Sequence, residues 1–370
     1  MTGKKMRFLV PPTLMLRLYV SIALMGATFA YADSVGMVSD NSAKTITVLG
    51  AEDGLIKTSI AAPPGQTTAD CSVTSDERMG FSTSASNEIT VVELSRSDSE
   101  RPRASKQVSI SNLGLDMSLS PDDTFLVLAG GGEIQAPLAV IDTRIQEEVA
   151  TSVPFADHTS VEFCDNGTLL VTTTYGKYFD SVLDNALYDA AVSHRGKISL
   201  RGHRLSTGDQ PVNSACAPGS YAGVLLDRKG GLQTFTLPGL RPAIRLDLAT
   251  GPGHAATFNH DGSMLYVRTA KAIEAFHFNP LTGELALAWT RNAPKSLAFY
   301  GIDPIALNPS GDKLYVDGMR GMTILDPVTG ETQGSISLGH TTGVCFARSQ
   351  EVPDLDRVSR IYSERGLAGS

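Results

Sequence analysis

The apolar positions of this chain fall in short runs cut by turn residues, and the same arrangement recurs from end to end. Ala256-Thr-Phe-Asn-His-Asp-Gly-Ser-Met-Leu-Tyr-Val267 and Ile305-Ala-Leu-Asn-Pro-Ser-Gly-Asp-Lys-Leu-Tyr-Val316 are each a strand, a tight turn and a second strand. Met117 to Leu128 and Val161 to Val171 have the same form, and Cys71 to Thr83 and Asn213 to Leu226 are weaker copies. Pro, Asp, Asn and Gly stand where a turn needs a preset or positive φ. A second hairpin follows each first one. Leu138–Asp142 leads to Glu148–Val153, Met322–Asp326 to Thr332–Ile336, and Ile46–Leu49 to Ile56–Ile60. These are β-type runs.

Aligned on Glu77, Asp123, Gly167, Gly219, Gly262 and Gly311, the first hairpins recur at intervals of 46, 44, 52, 43 and 49 residues. A period in the forties is the spacing of propeller blades. The pattern predicts an all-β fold, a seven-bladed β-propeller of four-stranded antiparallel blades. The seventh blade is divided between the termini: Gly343–Ala347 reads as a first strand without a successor, and Val35–Val38 as a second strand without a predecessor. Pairing them closes the ring and removes two sheet edges. The 35 glycines and 19 prolines argue against helices.

The ends of the chain depart from the repeat. Lys4, Lys5, Arg7 and Arg17 precede or open an apolar stretch, Leu18–Phe29, and Ala30-Tyr31-Ala32 is a small-x-small cleavage site. Residues 1–32 read as a signal peptide, residues 33–350 as the propeller, and 351–370 as a charged tail or short rim helix. No later stretch is apolar enough to span a bilayer. The expected location is periplasmic or secreted. Removing the four leader cations takes the net charge from −8 to −12. With no evident stripe of Lys and Arg, a nucleic-acid partner is disfavoured.

The four cysteines allow two disulfides in an exported protein. Cys164 and Cys216 each lie three residues before their turn glycine, and Cys71 and Cys345 fall on first strands beside the ring closure. Cys71–Cys345 and Cys164–Cys216 are the pairs this suggests. Buried free thiols are the alternative.

Leu119-Ser-Pro-Asp-Asp-Thr-Phe-Leu-Val127 with Leu138–Thr143, and Leu307-Asn-Pro-Ser-Gly-Asp-Lys-Leu-Tyr-Val316 with Ile324–Glu331, resemble YVTN-type propeller repeats. That superfamily includes lactonase-like, surface-layer-like and quinoprotein-like members. The resemblance covers most of residues 34–348 and implies the fold more than any activity. It also implies that a pyrroloquinoline quinone site would stack its cofactor on an indole, which a single tryptophan disfavours.

Candidate chemistry lies where first strands begin, at one mouth of the channel. His340, Asp70, Asp116, His158, Asn213, His254 and Asp303 are the residues read there, blade by blade. Imidazoles and carboxylates converging on an axis could hold a divalent metal or act as acid and base. Connectors of this kind also carry polar side chains that merely cap backbone amides. The second candidate is the connection Thr174–Gly196, with Tyr175, Tyr178 and Tyr188, since long loops in compact domains are usually functional or disordered. Asp227-Arg228-Lys229 and Asp317-Gly318-Met319-Arg320 read as further loop ends. No GxSxG elbow is present, which disfavours a serine hydrolase. Two functions remain: a binding or scaffold propeller that uses the channel mouth and the 174–196 insertion to hold a protein partner or small ligand, and a metal-dependent or acid–base enzyme of lactonase or lyase type.

Overall fold

The computed structural model describes residues 34–348 except 64–67, 85–86, 95–100, 112–113, 131–136, 155–157, 175–184, 207–209, 220 and 296–303. The leader, the C-terminal tail, Asp303, Tyr175 and Tyr178 lie outside the described residues, as does the side chain of His158. Among the described residues, twenty-eight strands form seven four-stranded antiparallel sheets, arranged as a seven-bladed β-propeller. No helix among them is long and apolar enough to cross a membrane.

Each blade runs from an inner strand A to an outer strand D. Blade 1 is the divided one. Its strand A is Thr341–Phe346 and its strands B to D are Val35–Asp40, Thr45–Gly50 and Ile56–Ala61. The closure pairs Met37 with Cys345 and Val38 with Val344. Strands A of blades 2 to 7 are Thr68–Val73, Asp116–Leu119, His158–Phe163, Pro211–Cys216, Gly253–Phe258 and Ile305–Leu307.

The repeat is legible because its turns are locally coded. All six aligned turn residues have positive φ: Glu77 and Asp123 at 56°, Gly167 at 77°, Gly219 at 80°, Gly262 at 70° and Gly311 at 76°. Side chains shape the same turns. Ser120 Oγ donates to Asp122 Oδ1 at 2.7 Å, and Asp122 Oδ1 accepts the Thr124 amide at 3.1 Å.

The apolar core is divided among the seams between blades. Phe125, Val127, Phe163, Val171 and Tyr188 fill the seam of blades 3 and 4. Val224, Leu226, Phe258 and Phe278 fill that of blades 5 and 6. Tyr315 and Met322 meet Val38 and Leu49 across the closure. A blade between two neighbours buries both faces, so its middle strands read as unbroken apolar runs. Phe125–Ala129 is buried at every position, whereas the outer strand Arg103–Ser109 is exposed at all but Val108.

The structure joins Cys71 to Cys345 and Cys164 to Cys216 as disulfides, with Cα separations of 5.8 and 5.4 Å. The first spans blades 1 and 2 beside the closure, and the second spans blades 4 and 5. Inner strands of neighbouring blades converge toward the axis, which brings their Cα atoms within disulfide range.

Candidate functional site: an axial cavity with three carboxyl groups

Strand A begins farther upstream than its turn signals indicate. Asp70, Asn213 and His254 lie inside strands A and not in the connectors before them. The reason is a bulge near the start of each: the register shifts between Thr68 and Cys71, Pro211 and Asn213, and Gly253 and Ala255. An extra residue lets the strand continue past the point where alternation breaks, and it re-aims the side chain. His254 is buried at such a bulge, and His340 is buried just before strand A of blade 1.

The inner strands enclose a cavity of about 370 Å³. Asp70 and Asp116 line it; His254 and His340 do not. Its lining continues to Asp165, Pro218, His260 and Arg348, residues at the A–B end of the channel. The cavity therefore lies toward the A–B turns, whereas the sequence pointed to the mouth where strands A begin. The described histidines and carboxylates do not form one ring. Among the described residues, no three His, Cys, Asp or Glu side chains are grouped to hold a metal ion.

What the cavity does gather is a set of carboxyl groups on consecutive blades. Asp70 Oδ2 accepts the amide of Met117 at 3.0 Å, and Asp116 Oδ2 accepts the amide of Val161 at 2.9 Å. Ser118 Oγ accepts the amide of Phe163 at 2.8 Å. Each bond satisfies an inner-edge N–H that no neighbouring strand reaches, and each ties one blade to the next. Asp70 and Asp116 are close enough for the charge of one to act on the other.

Burial dominates the titration of this group. It pushes Asp70 up to about 6, against the lowering influence of the Cys71 and Met117 amides. Burial raises Asp116 well above the carboxylate range, and the charge of Asp70 adds to it. Glu162, five residues before turn residue Gly167, is pushed up to about 7 by desolvation inside the channel, although its side chain is 36% exposed to channel solvent; Arg348 opposes this, and Asp165 and Asp70 reinforce it. Desolvation and like charge are the two influences that hold protons on carboxyl groups. Glu162 was missed in the sequence because it sits mid-strand. Its signal is positional: aligned on the turns, the equivalent residues are Ser72, Ser118, Ser214, Thr257 and Ala306, so Glu162 alone there carries a carboxyl.

Arg348 completes the cavity. It lies two residues after strand A of blade 1, and Nη2 donates to the Phe163 carbonyl of blade 4 at 3.0 Å. The guanidinium is 3.8 Å from Glu162 Oε1.

Other candidates lie elsewhere. Tyr188 belongs to strand C of blade 4, Ala186–Val192, and is packed in the seam with blade 3. The predicted 174–196 connection thus contains a strand, and the link between strands B and C is residues 175–185. Asp227 and Asp317 are not exposed loop ends. Both are fully buried at the ends of strands B; Asp227 pairs with Arg245 at 2.8 Å and Asp317 with Arg268 at 2.9 Å.

The fold is a seven-bladed β-propeller, an architecture shared with propellers of known structure that include a gluconolactonase. A structure of a functionally unknown protein from Desulfotomaculum acetoxidans superposes with a TM-score of 0.75 at 17% identity, over 86% of this chain and all of that one. A putative 6-phosphogluconolactonase from Bacteroides uniformis gives 0.68 at 13% identity, over 84% and 99%. The periplasmic gluconolactonase of Pseudomonas aeruginosa gives 0.67 at 17% identity, over 84% and 98%. At these identities the likeness is one of fold. No protein-family model matches the chain, and no curated protein matches its sequence.

Proposed function

We propose that this chain is an exported binding propeller that holds a small polar ligand in its axial cavity. The observation that carries this reading is the gathering of Asp70, Asp116 and Glu162 around one axial cavity, with Arg348 at its A–B end. Carboxyl groups whose pKa values are raised offer both donors and acceptors, which suits a ligand with several polar groups. The leader-like N-terminus and two disulfides support export. The 174–196 segment is where a protein partner would be held. Native mass spectrometry on protein purified from its own host tests the ligand reading. A bound small molecule that is lost in Asp116→Asn supports it; an empty cavity in both proteins, with no ligand from a panel of polyols and hydroxy acids shifting Tm, removes it.

One observation favours a second reading. Burial raises both Asp70, to about 6, and Asp116, and the charge of Asp70 raises Asp116 as well, so Asp70 gives up its proton first. Two titratable groups pushed apart in this way are an acid–base pair. In a lactonase-like enzyme Asp70 would take a proton from the attacking water and Asp116 would give one to the departing ring oxygen. One structural neighbour is a periplasmic gluconolactonase and another a putative 6-phosphogluconolactonase, which makes glucono-δ-lactone the first substrate to assay. Turnover above the buffer rate that disappears in Asp70→Asn supports the enzyme; hydrolysis at the buffer rate leaves the binding reading.

A further inference from the structure

The guanidinium of Arg348 is poorly satisfied for a group so placed. Nη2 donates to the Phe163 carbonyl, Nη1 is shut from solvent without a hydrogen-bond partner, and the approach to Glu162 at 3.8 Å is too long for a hydrogen bond. The side chain reaches across the axis from blade 1 to blade 4, and it is 33% exposed where the cavity meets the A–B end. A planar guanidinium presents five donors in a fork that matches two coplanar anionic oxygens. Glu162 does not supply that partner.

We propose that the Arg348–Glu162 contact is a latch opened by a small anion, a carboxylate or phosphate, which takes the Arg348 guanidinium and leaves Glu162 to bind a proton. This rests on the axial-cavity reading and names the ligand class.

The charges around Glu162 decide the coupling. Arg348 is the cation that lowers its affinity for a proton; Asp165 and Asp70 raise it, with Asp116 beyond Asp70. His260, on the blade 6 side of the lining, has its Nε2 engaged with the Asn308 carbonyl at 2.9 Å. Once an anion occupies Arg348, Glu162 faces only carboxylates and the anion itself, so it protonates. Each anion bound above neutral pH therefore brings one proton with it, and affinity rises as pH falls.

The test is isothermal titration calorimetry with malonate and with inorganic phosphate on the full mature chain, at pH 6.5 to 8.5 and in buffers of different ionisation enthalpy. Expected is uptake of close to one proton at pH 8, with affinity falling roughly tenfold per pH unit above neutrality. Glu162→Gln should abolish the uptake and bind more tightly than wild type at pH 8. Arg348→Met should lose at least tenfold in affinity. Binding without proton uptake, equal binding by Arg348→Met, or no binding of either anion overturns the latch. The cavity reading is judged separately. A neutral polyol that binds wild type but not Asp116→Asn, beside failed anions, refutes the latch alone; failure of polyol and anion together refutes both.

Discussion

Asp70 and Asp116 are electrostatic neighbours across the seam of blades 2 and 3, and the charge of Asp70 adds to burial in raising the proton affinity of Asp116. Folding thus holds a proton that the unfolded chain would release. For Asp70 the sign follows from a folded pKa of about 6 against an ordinary 3.8. Its stabilisation is complete below pH 3.8 and is lost as pH rises through about 6. At about 1.4 kcal/mol per unit, the loss is about 3 kcal/mol before channel solvent reduces it. Glu162 acts in the same direction between 4.5 and about 7. Carboxylates held below their ordinary range, such as Asp142 and Asp326, lose their contribution only in more acidic solution. Thermal unfolding should therefore show Tm falling from pH 5 to pH 7.5. Asp116→Asn keeps an acceptor for Val161, removes one of the two raised carboxyl groups, and should flatten that slope. A wild-type Tm that is level or rises over the same range contradicts the raised proton affinity of this group.

The blades could be read from the sequence because each A–B turn is coded where it stands, by a residue that tolerates positive φ and by Ser or Asp side chains bonded to their own turn. The site could not be read so directly. Asp70 and Asp116 carried a visible signal, a carboxylate at the same distance from two turns. Bulges then decide which strand A residues reach the cavity, and nothing local marks a bulge before Cys71 or Ala255. Arg348 escaped notice because its neighbour across the axis, Glu162, is half the chain away. Asp317 read as a loop end because it closes an apolar run; the neighbouring blade buries it.

The Arg268–Asp317 pair joins strands B of blades 6 and 7 with both side chains 0% exposed. Arg268 Nη2 also donates to the Pro294 carbonyl at 3.3 Å. Removing one charge from such a pair leaves the other desolvated without compensation, a loss of about 3 to 5 kcal/mol. Asp317→Asn should reduce the unfolding free energy by that amount in denaturant titration. The double variant Arg268→Met with Asp317→Leu should recover most of it, since neither charge is then stranded. A single variant within 1 kcal/mol of wild type, on the scale of an exposed ion pair, would mean that water reaches the seam.

Gly321 and Gly202 both have positive φ, at 117° and 87°, yet they should respond differently to alanine. A Cβ on Gly321 would run into the Ile336 carbonyl of the adjacent outer strand, whereas one on Gly202 meets nothing within 4 Å. Gly202→Ala should cost only the conformational strain of about 1 kcal/mol. Gly321→Ala must also displace a paired backbone, and its loss should be at least twice as large. Equal losses, measured by urea unfolding, would show that the outer strand of blade 7 yields easily.

The two disulfides constrain the unfolded chain to different extents. Cys164–Cys216 closes a separation of 52 residues and Cys71–Cys345 one of 274. In the chain-entropy account the stabilisation grows with the logarithm of loop length, giving about 4 kcal/mol for the shorter loop and between about 5 and 6 for the longer. The longer bond also locks the noncovalent closure in which Met37 pairs with Cys345. Paired Cys→Ala replacement at 71 and 345 should therefore lower Tm more than replacement at 164 and 216, and should speed proteolysis near the termini first. Peptide mapping without reductant should recover both cross-linked pairs. Four free thiols after secretion would refute the pairing, and a larger loss from the 164–216 replacement would show that local packing outweighs loop entropy in this ring.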